Sequence, residues 1–224
     1  MNVPADQGLV YGIDVSFAQG DAVDWDAVKS QNIAQFVYSR ASYGTYADDD
    51  DPNYIRNHDA CKRLAIPFGA YHFFLCAQSG IEQAKHFLGR IDGYQGQLRA
   101  MVDVEENSGT GDAMIANLAS FTDTIEKELG SRMILYTNQS TWDANFGGTD
   151  AFAGHQLWVS NFTEDPQRDP AMPAGFRDWT LYQYSSNGVL PLTDGSSTNV
   201  DLDVLKGSLD GIRYSIRNNR GFNR

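Results

Sequence analysis

No stretch of this 224-residue chain stays apolar for anything near the roughly 18 residues that cross a bilayer, so no transmembrane helix is expected. The opening residues, MNVPADQGLVYG, lack a basic start and an apolar run, and do not read as a secretory leader. The expectation is a chain made without one or trimmed of it. Cysteine is scarce: Cys61 and Cys76 are the only two, and no CxxC occurs. That excludes a disulfide framework and a zinc cluster, and leaves two core thiols as the plain reading, with an oxidised pair still open. Basic residues are short as well, 17 against 29 acidic for a net charge of −12, which argues against nucleic acid as a partner. No Pro/Ser-rich linker, repeat or low-complexity run divides the chain. Nor does a Gly-rich phosphate loop follow the first apolar segment, since Gly12-Ile13-Asp14 is not GxGxxG.

What is present is alternation. Val10–Val15 reads as a strand, Trp25–Gln31 as a short helix with Asp24 as N-cap, and Gln35–Ala41 as a strand. Asn53–Leu64 is helical, Phe68–Phe74 a strand, Ile81–Ile91 helical, and Leu98–Glu105 a strand. From Asp112 to Leu129, apolar residues at 114, 118, 121, 125 and 129 mark an amphipathic helix, and Met133–Thr137 follows as a strand. Beyond that the helices fade, and Gln156–Ser160, Trp179–Tyr184 and Val200–Asp203 read as three strands joined by loops. The fold class expected is α/β: a single flattened (β/α) barrel of eight parallel-type strands, the last three lacking full crossover helices. An open doubly wound sheet is the alternative. The boundaries expected are an N-terminal extension at 1–9, the barrel at 10–205 and a basic tail at 206–224. That tail carries five basic residues and one acid, and can contact an anionic surface, although a loosely packed terminus is the plainer reading. The run Asp48-Asp49-Asp50-Asp51 reads as a solvated loop tip. It lacks the spaced ligands of a calcium loop.

The segment MVDVEEN places Asp103 and Glu105 on one face of a strand, two like charges side by side. Asp14 closes the first strand and Asp201 lies in the last. In a closed barrel the last strand lies beside the first, so these four acids converge over one mouth. Crowded, partly buried carboxyls hold a proton near neutral pH, and a protonated carboxyl beside an ionised one is what glycosidic cleavage needs. The plainer reading is a helix cap, or a pair with Arg40. Aromatic residues surround these segments and suit a saccharide cleft. His72, inside an apolar strand, reads as a hydrogen-bonded core residue rather than a base.

Nine motifs in order carry a family resemblance: GIDVSFAQG, DW, YSRASYG, GAYHFF, MVDVEEN, LYTN, LWVSNF, WTLYQYS and VDLD, over roughly residues 10–205. The chain resembles glycoside hydrolase family 25, the Chalaropsis-type or phage-type lysozymes. The resemblance implies a flattened barrel and hydrolysis of the β-1,4 bond between N-acetylmuramic acid and N-acetylglucosamine in peptidoglycan, with retention. It implies Glu105 as general acid, Asp103 as its partner carboxylate, and Asp14 and Asp201 as the remaining acids. Retention would come either from a carboxylate nucleophile or from the substrate's acetamido group steadied by Asp103, and the second is favoured by analogy with other hydrolases that carry i,i+2 acids on one strand. Tyr43, Tyr71, Tyr136, Trp158, Trp179, Asn161 and Gln183 are the candidate substrate contacts. No cofactor or metal is implied. The partner implied is a peptidoglycan strand rather than nucleic acid or membrane, met by a monomer acting outside the cell or on the wall, as a phage lysin or a trimmed secreted enzyme. A hydrolase of a chitin-like polymer and a non-catalytic glycan-binding module are the alternatives.

Overall fold

Eight strands close into one barrel in chain order: β1 (Leu9–Val15), β2 (Phe36–Tyr43), β3 (Phe68–Phe73), β4 (Met101–Asp103), β5 (Ile134–Asn138), β6 (Gln156–Ser160), β7 (Leu181–Pro191) and β8 (Ser197–Lys206). The computed structural model describes residues 8–106 and 111–214. Residues 1–7, 107–110 and 215–224 lie outside them, taking in most of the expected N-terminal extension and the expected tail from Ser215 onward.

β1 to β7 pair in parallel, while β8 runs antiparallel to both β7 and β1. Eight parallel-type strands were expected, and β8 departs from that. β7 and β8 are joined by a tight turn in which Gly195 adopts φ 85° and donates its N–H to Leu192 O at 3.0 Å. A turn that short reverses the chain, and only an antiparallel pair can follow it. Past the barrel proper this arm continues as Gly188–Pro191 against Ser197–Val200, and its end lies on the loop before Trp25 through the Val23–Leu192 bridge.

Among the described residues, five α-helices cover the outside: α1 (Trp25–Ser30), α2 (Tyr54–Arg63), α3 (Gly80–Ile91), α4 (Gly111–Leu129) and α5 (Gln139–Phe146). Local chemistry starts several of them. Asp24 accepts from Ala27 N–H at 2.9 Å, Ser79 accepts from Glu82 N–H, and Asn138 accepts from Thr141 N–H at 2.8 Å. α4 buries Met114, Leu118, Phe121, Ile125 and Leu129, the expected stripe. Among the described residues, the last α-helix precedes β6. Beyond it the outer faces of β6 to β8 pack Leu157, Val159, Tyr182, Tyr184 and Val204 under Met172, Phe176 and Trp179 from the long β6–β7 connection. Among the described residues, no helix is long and apolar enough to cross a membrane.

Alternate residues point inward. Phe36, Tyr38, Tyr71, Met101, Ile134, Tyr136, Trp158, Leu181 and Leu205 fill the barrel, with Tyr38 edge-on to Trp158 at 4.9 Å. Glycine makes the room: a Cβ at Gly12 would sit 2.2 Å from the Phe36 ring, and one at Gly69 2.3 Å from that of Tyr38. Below, Leu98, Leu209 and Ile212 close the floor, and Tyr214 Oη accepts from Ala100 N–H at 2.9 Å. Leu209, Ile212 and Tyr214, which fall within the stretch expected as a tail, therefore pack against the barrel. The acidic loop also departs from expectation. Asp51 has no exposed surface and accepts from Phe17 N–H at 2.6 Å and Asn53 N–H at 3.0 Å, while Asp50 meets His86 at 2.6 Å. Only Asp48 and Asp49 of the run stand fully in solvent.

Cys61 and Cys76 are free, buried thiols, the latter pushed up to about 12 chiefly by burial. His72 is a core residue, with Nδ1 2.8 Å from Ser42 Oγ and Nε2 3.2 Å from Gln83 Oε1, and burial drives its pKa down to about 3.

Candidate active site

The inward positions nearest the C-terminal ends of the parallel strands carry the acids. Asp14 ends the inner face of β1. Asp103 ends β4, and Glu105 lies just past it on the same face. Asp201 stands directly opposite Asp14 in the β1–β8 pair. It reaches this rim from the middle of β8 and not from that strand's end, because β8 descends from the mouth while its neighbours climb toward it. Asp103 and Asp14 are nearly buried, Asp201 is half-buried, and Glu105 is exposed at the mouth.

Each carboxyl feels the others. Burial raises Asp14 to about 7, helped by the charges of Asp201 and Glu105 and opposed by hydrogen bonds from Gln183 and Asp203. Burial, then Glu105 and Asp14, lifts Asp103 well above the usual carboxylate range, with Arg40 pulling the other way. Desolvation in the mouth and the Asp201 charge raise Glu105, and desolvation takes Asp201 to about 6. Such a cluster holds protons and negative charge together near neutral pH, so it can donate a proton to a leaving oxygen and face a developing cation.

A polar network fixes Asp14. Tyr136 Oη–H donates to Gln183 Oε1 at 2.8 Å, and Gln183 Nε2–H donates to Asp14 Oδ2 at 2.7 Å. Burial, then the acid charges, push the Tyr71 and Tyr136 phenols well above their ordinary value, so both remain protonated donors. Arg40 is anchored by Asp51, Nε to Oδ2 at 3.4 Å, and its guanidinium lies 4.5 Å from the Phe17 ring. It is not the ion-pair partner of Asp103 or Glu105. A cleft of about 490 Å³ opens beside Arg40, lined by Phe17, Arg40, Tyr43, Asp48, Asp49, Asp50 and Pro52, and none of the four acids lines it.

The expected substrate contacts divide. Tyr71, Tyr136 and Gln183 come together with the acids, and Tyr43 lies at the rim, stacked on Phe73 at 4.8 Å. Trp158 is wholly buried beneath them, its indole Nε1–H donating to Asp203 Oδ1 at 3.1 Å, so it supports the site from below. Asn161 Oδ1 is occupied by Ala171 N–H at 3.0 Å and orders the β6–β7 connection. Trp179 lies at the opposite end of the barrel, on the outside, with Lys206 Nζ 5.1 Å from its ring. Neither of these two joins the acids. Sequence reasoning passed over Asp203, although VDLD repeats the i,i+2 spacing of DVE. Among the described residues, no group of three His, Cys, Asp or Glu side chains is arranged to hold a metal ion.

Comparison with known proteins bears on the family and the fold. The chain is 31% identical over 219 residues to Lysozyme M1 of Streptomyces globisporus, covering 92% of this chain and 70% of that protein. It is 26% identical to the N,O-diacetylmuramidase of Chalaropsis sp, covering 91% and 97%. Among solved structures, the bacterial lysozyme of Streptomyces coelicolor superposes with a TM-score of 0.77 at 28% identity, covering 92% of this chain and 96% of that one. A family 25 glycosyl hydrolase of Bacillus anthracis gives 0.78 at 26% identity, covering 93% and 94%. The family model for glycosyl hydrolases family 25 matches residues 13–192, ending just before β8. The chain belongs to glycosyl hydrolase family 25.

Proposed function

We propose that this glycoside hydrolase is a muramidase that cleaves the β-1,4 bond between N-acetylmuramic acid and N-acetylglucosamine in peptidoglycan, with retention at the anomeric carbon. The observation that carries the reading is the meeting of Asp14, Asp103, Glu105 and Asp201 at one mouth. Glu105 is the general acid: it is open to a ligand, and its raised pKa keeps a proton for the departing oxygen. Asp103, beneath it on the same face, holds the substrate's N-acetyl group. The carbonyl oxygen of that group attacks the anomeric carbon as the glycosidic bond breaks and the Glu105 proton passes to the leaving hydroxyl. Water then opens the cyclic intermediate, giving its proton to Glu105, and two inversions amount to retention. Asp14 and Asp201 face the positive charge that develops on the sugar. The stacked Tyr43 and Phe73 offer a flat surface to a sugar ring.

The names of the relatives, a lysozyme and an N,O-diacetylmuramidase, support a wall glycan as substrate. The site is built from one chain, so a monomer suffices, and the place of action is the cell wall. The scheme calls on no cofactor. Mass analysis of digested peptidoglycan tests it: muropeptides ending in reducing N-acetylmuramic acid are expected, and proton NMR of the first product should give the β-anomer. Fragments cut at amide or peptide bonds, or faster turnover of chitin than of peptidoglycan, would overturn the substrate assignment.

A further inference from the structure

Asp203 has a place that this scheme does not use. It lies on the inner face of β8, two residues below Asp201, and its side chain has no exposed surface. Oδ1 accepts from the Trp158 indole, but Oδ2 meets no N–H or O–H donor. What it faces is the carboxyl of Asp14, its diagonal neighbour across the β1–β8 pair, whose charge acts on it. Asp14 is an acceptor on its other side as well, taking the Gln183 amide N–H, and Gln183 is fixed in that sense by Tyr136. Two bare carboxylates do not face each other in a dry pocket, so a proton must lie between them. The deeper group has the larger desolvation cost for a charge, and Asp203 is the deeper of the two.

We propose that Asp203 is a positioning residue that keeps the shared proton and donates it to Asp14, clamping the Asp14 carboxylate in orientation and leaving it charged for the chemistry above. The idea rests on the reading of Asp14 as part of the hydrolytic site. The other titratable groups that sense Asp203 are Asp201 on β8, Tyr38 on β2 and Tyr184 on β7. Burial together with the Asp14 and Asp201 charges raises Asp203 well above the carboxylate range, in keeping with a neutral group.

Carbon-13 NMR of the free enzyme labelled at aspartate carboxyls reads this without substrate. One carboxyl should stay at its protonated shift from about pH 5 to about pH 8 and vanish in Asp203→Asn. In Asp203→Leu, which removes the donor, kcat should fall by about tenfold or more and the acid limb of the pH–rate profile should move to higher pH. D203N, whose amide can donate to Asp14 and whose oxygen can accept from Trp158, should recover most of that loss. If D203L does not fold, Trp158→Phe supplies the second reading, by shifting the signal that D203N abolishes. A titration with no such signal, or a D203N profile displaced downward by about one pH unit because a buried negative charge was lost, would overturn the proposal. The NMR outcome stands whether or not peptidoglycan proves to be the substrate.

Discussion

Two acid pairs share one spacing and lie at mirrored depths. β4 climbs toward the mouth, so its first acid, Asp103, is buried and its second, Glu105, is exposed. β8 descends, so its first acid, Asp201, is at the rim and its second, Asp203, has no exposed surface. The difference teaches that strand direction, and not motif spacing, decides which member of an i,i+2 pair stands at the rim and which lies deep. In the proposed scheme the rim member Glu105 gives the proton, while the deep members orient, Asp103 the N-acetyl group and Asp203 the carboxyl of Asp14.

Removing the rim member of β4 should have the largest effect. Glu105→Gln is expected to lower kcat on peptidoglycan by roughly 10²–10⁴-fold, read as reducing ends released, with Tm unmoved. Retained activity would take the acid role from Glu105. The rim member of β8 acts through charge. Asp201 raises both Glu105 and Asp14, so Asp201→Asn should move the basic limb of the pH–rate profile down by about one unit. A limb that stays in place would separate the two pairs electrostatically.

The buried acids sharpen the comparison through stability. Asp14 and Asp201 are raised to about 7 and about 6 in the folded state. Above their ordinary values the unfolded chain has released protons that the folded chain still binds, so stability falls as pH rises through this window. The Tm should therefore be several degrees higher near about pH 4 than near about pH 8, on these groups alone, and Asp14→Asn should flatten the slope. An equally steep slope in the variant would assign it elsewhere. The smallest effect is expected at the far end of the barrel. Trp179→Ala removes an outer contact with Lys206 and Tyr182, and should cost about 1 kcal/mol, a Tm change of roughly 2–4 °C, with kcat unchanged. A large loss of activity there would bring Trp179 back into the site.

Much of the barrel was legible because periodicity reports burial. The stripe from Met114 to Leu129 gave α4 to within a residue, and Asp24 gave the cap of α1. The direction of β8 was missed although its signal was present: Asp194-Gly195 between two apolar runs is a hairpin turn, and Gly195 takes the positive φ that such a turn requires. Asp14, Asp103, Glu105 and Asp201 were found because charge at an apolar strand's end is conspicuous. Asp203 was passed over because its depth follows from strand direction, which that turn sets. Asp51 was read as solvated with its neighbours in the run, since nothing local distinguishes it. Its burial comes from Arg40 and the Phe17 amide, both distant in sequence. Trp179 illustrates the reverse error, an aromatic in a matching motif that packs on the outer wall.

Pairing of the first strand with the last has a consequence for how the molecule comes into being. During synthesis the partners of Asp14 on β8 are made close to 190 residues after it. Until then β1 has only β2 beside it, and the mouth has no Asp201 and no Asp203. Contacts of such long sequence separation form late and slowly. On the reading of these acids as the hydrolytic site, the nascent chain keeps an incomplete mouth until β8 pairs with β1.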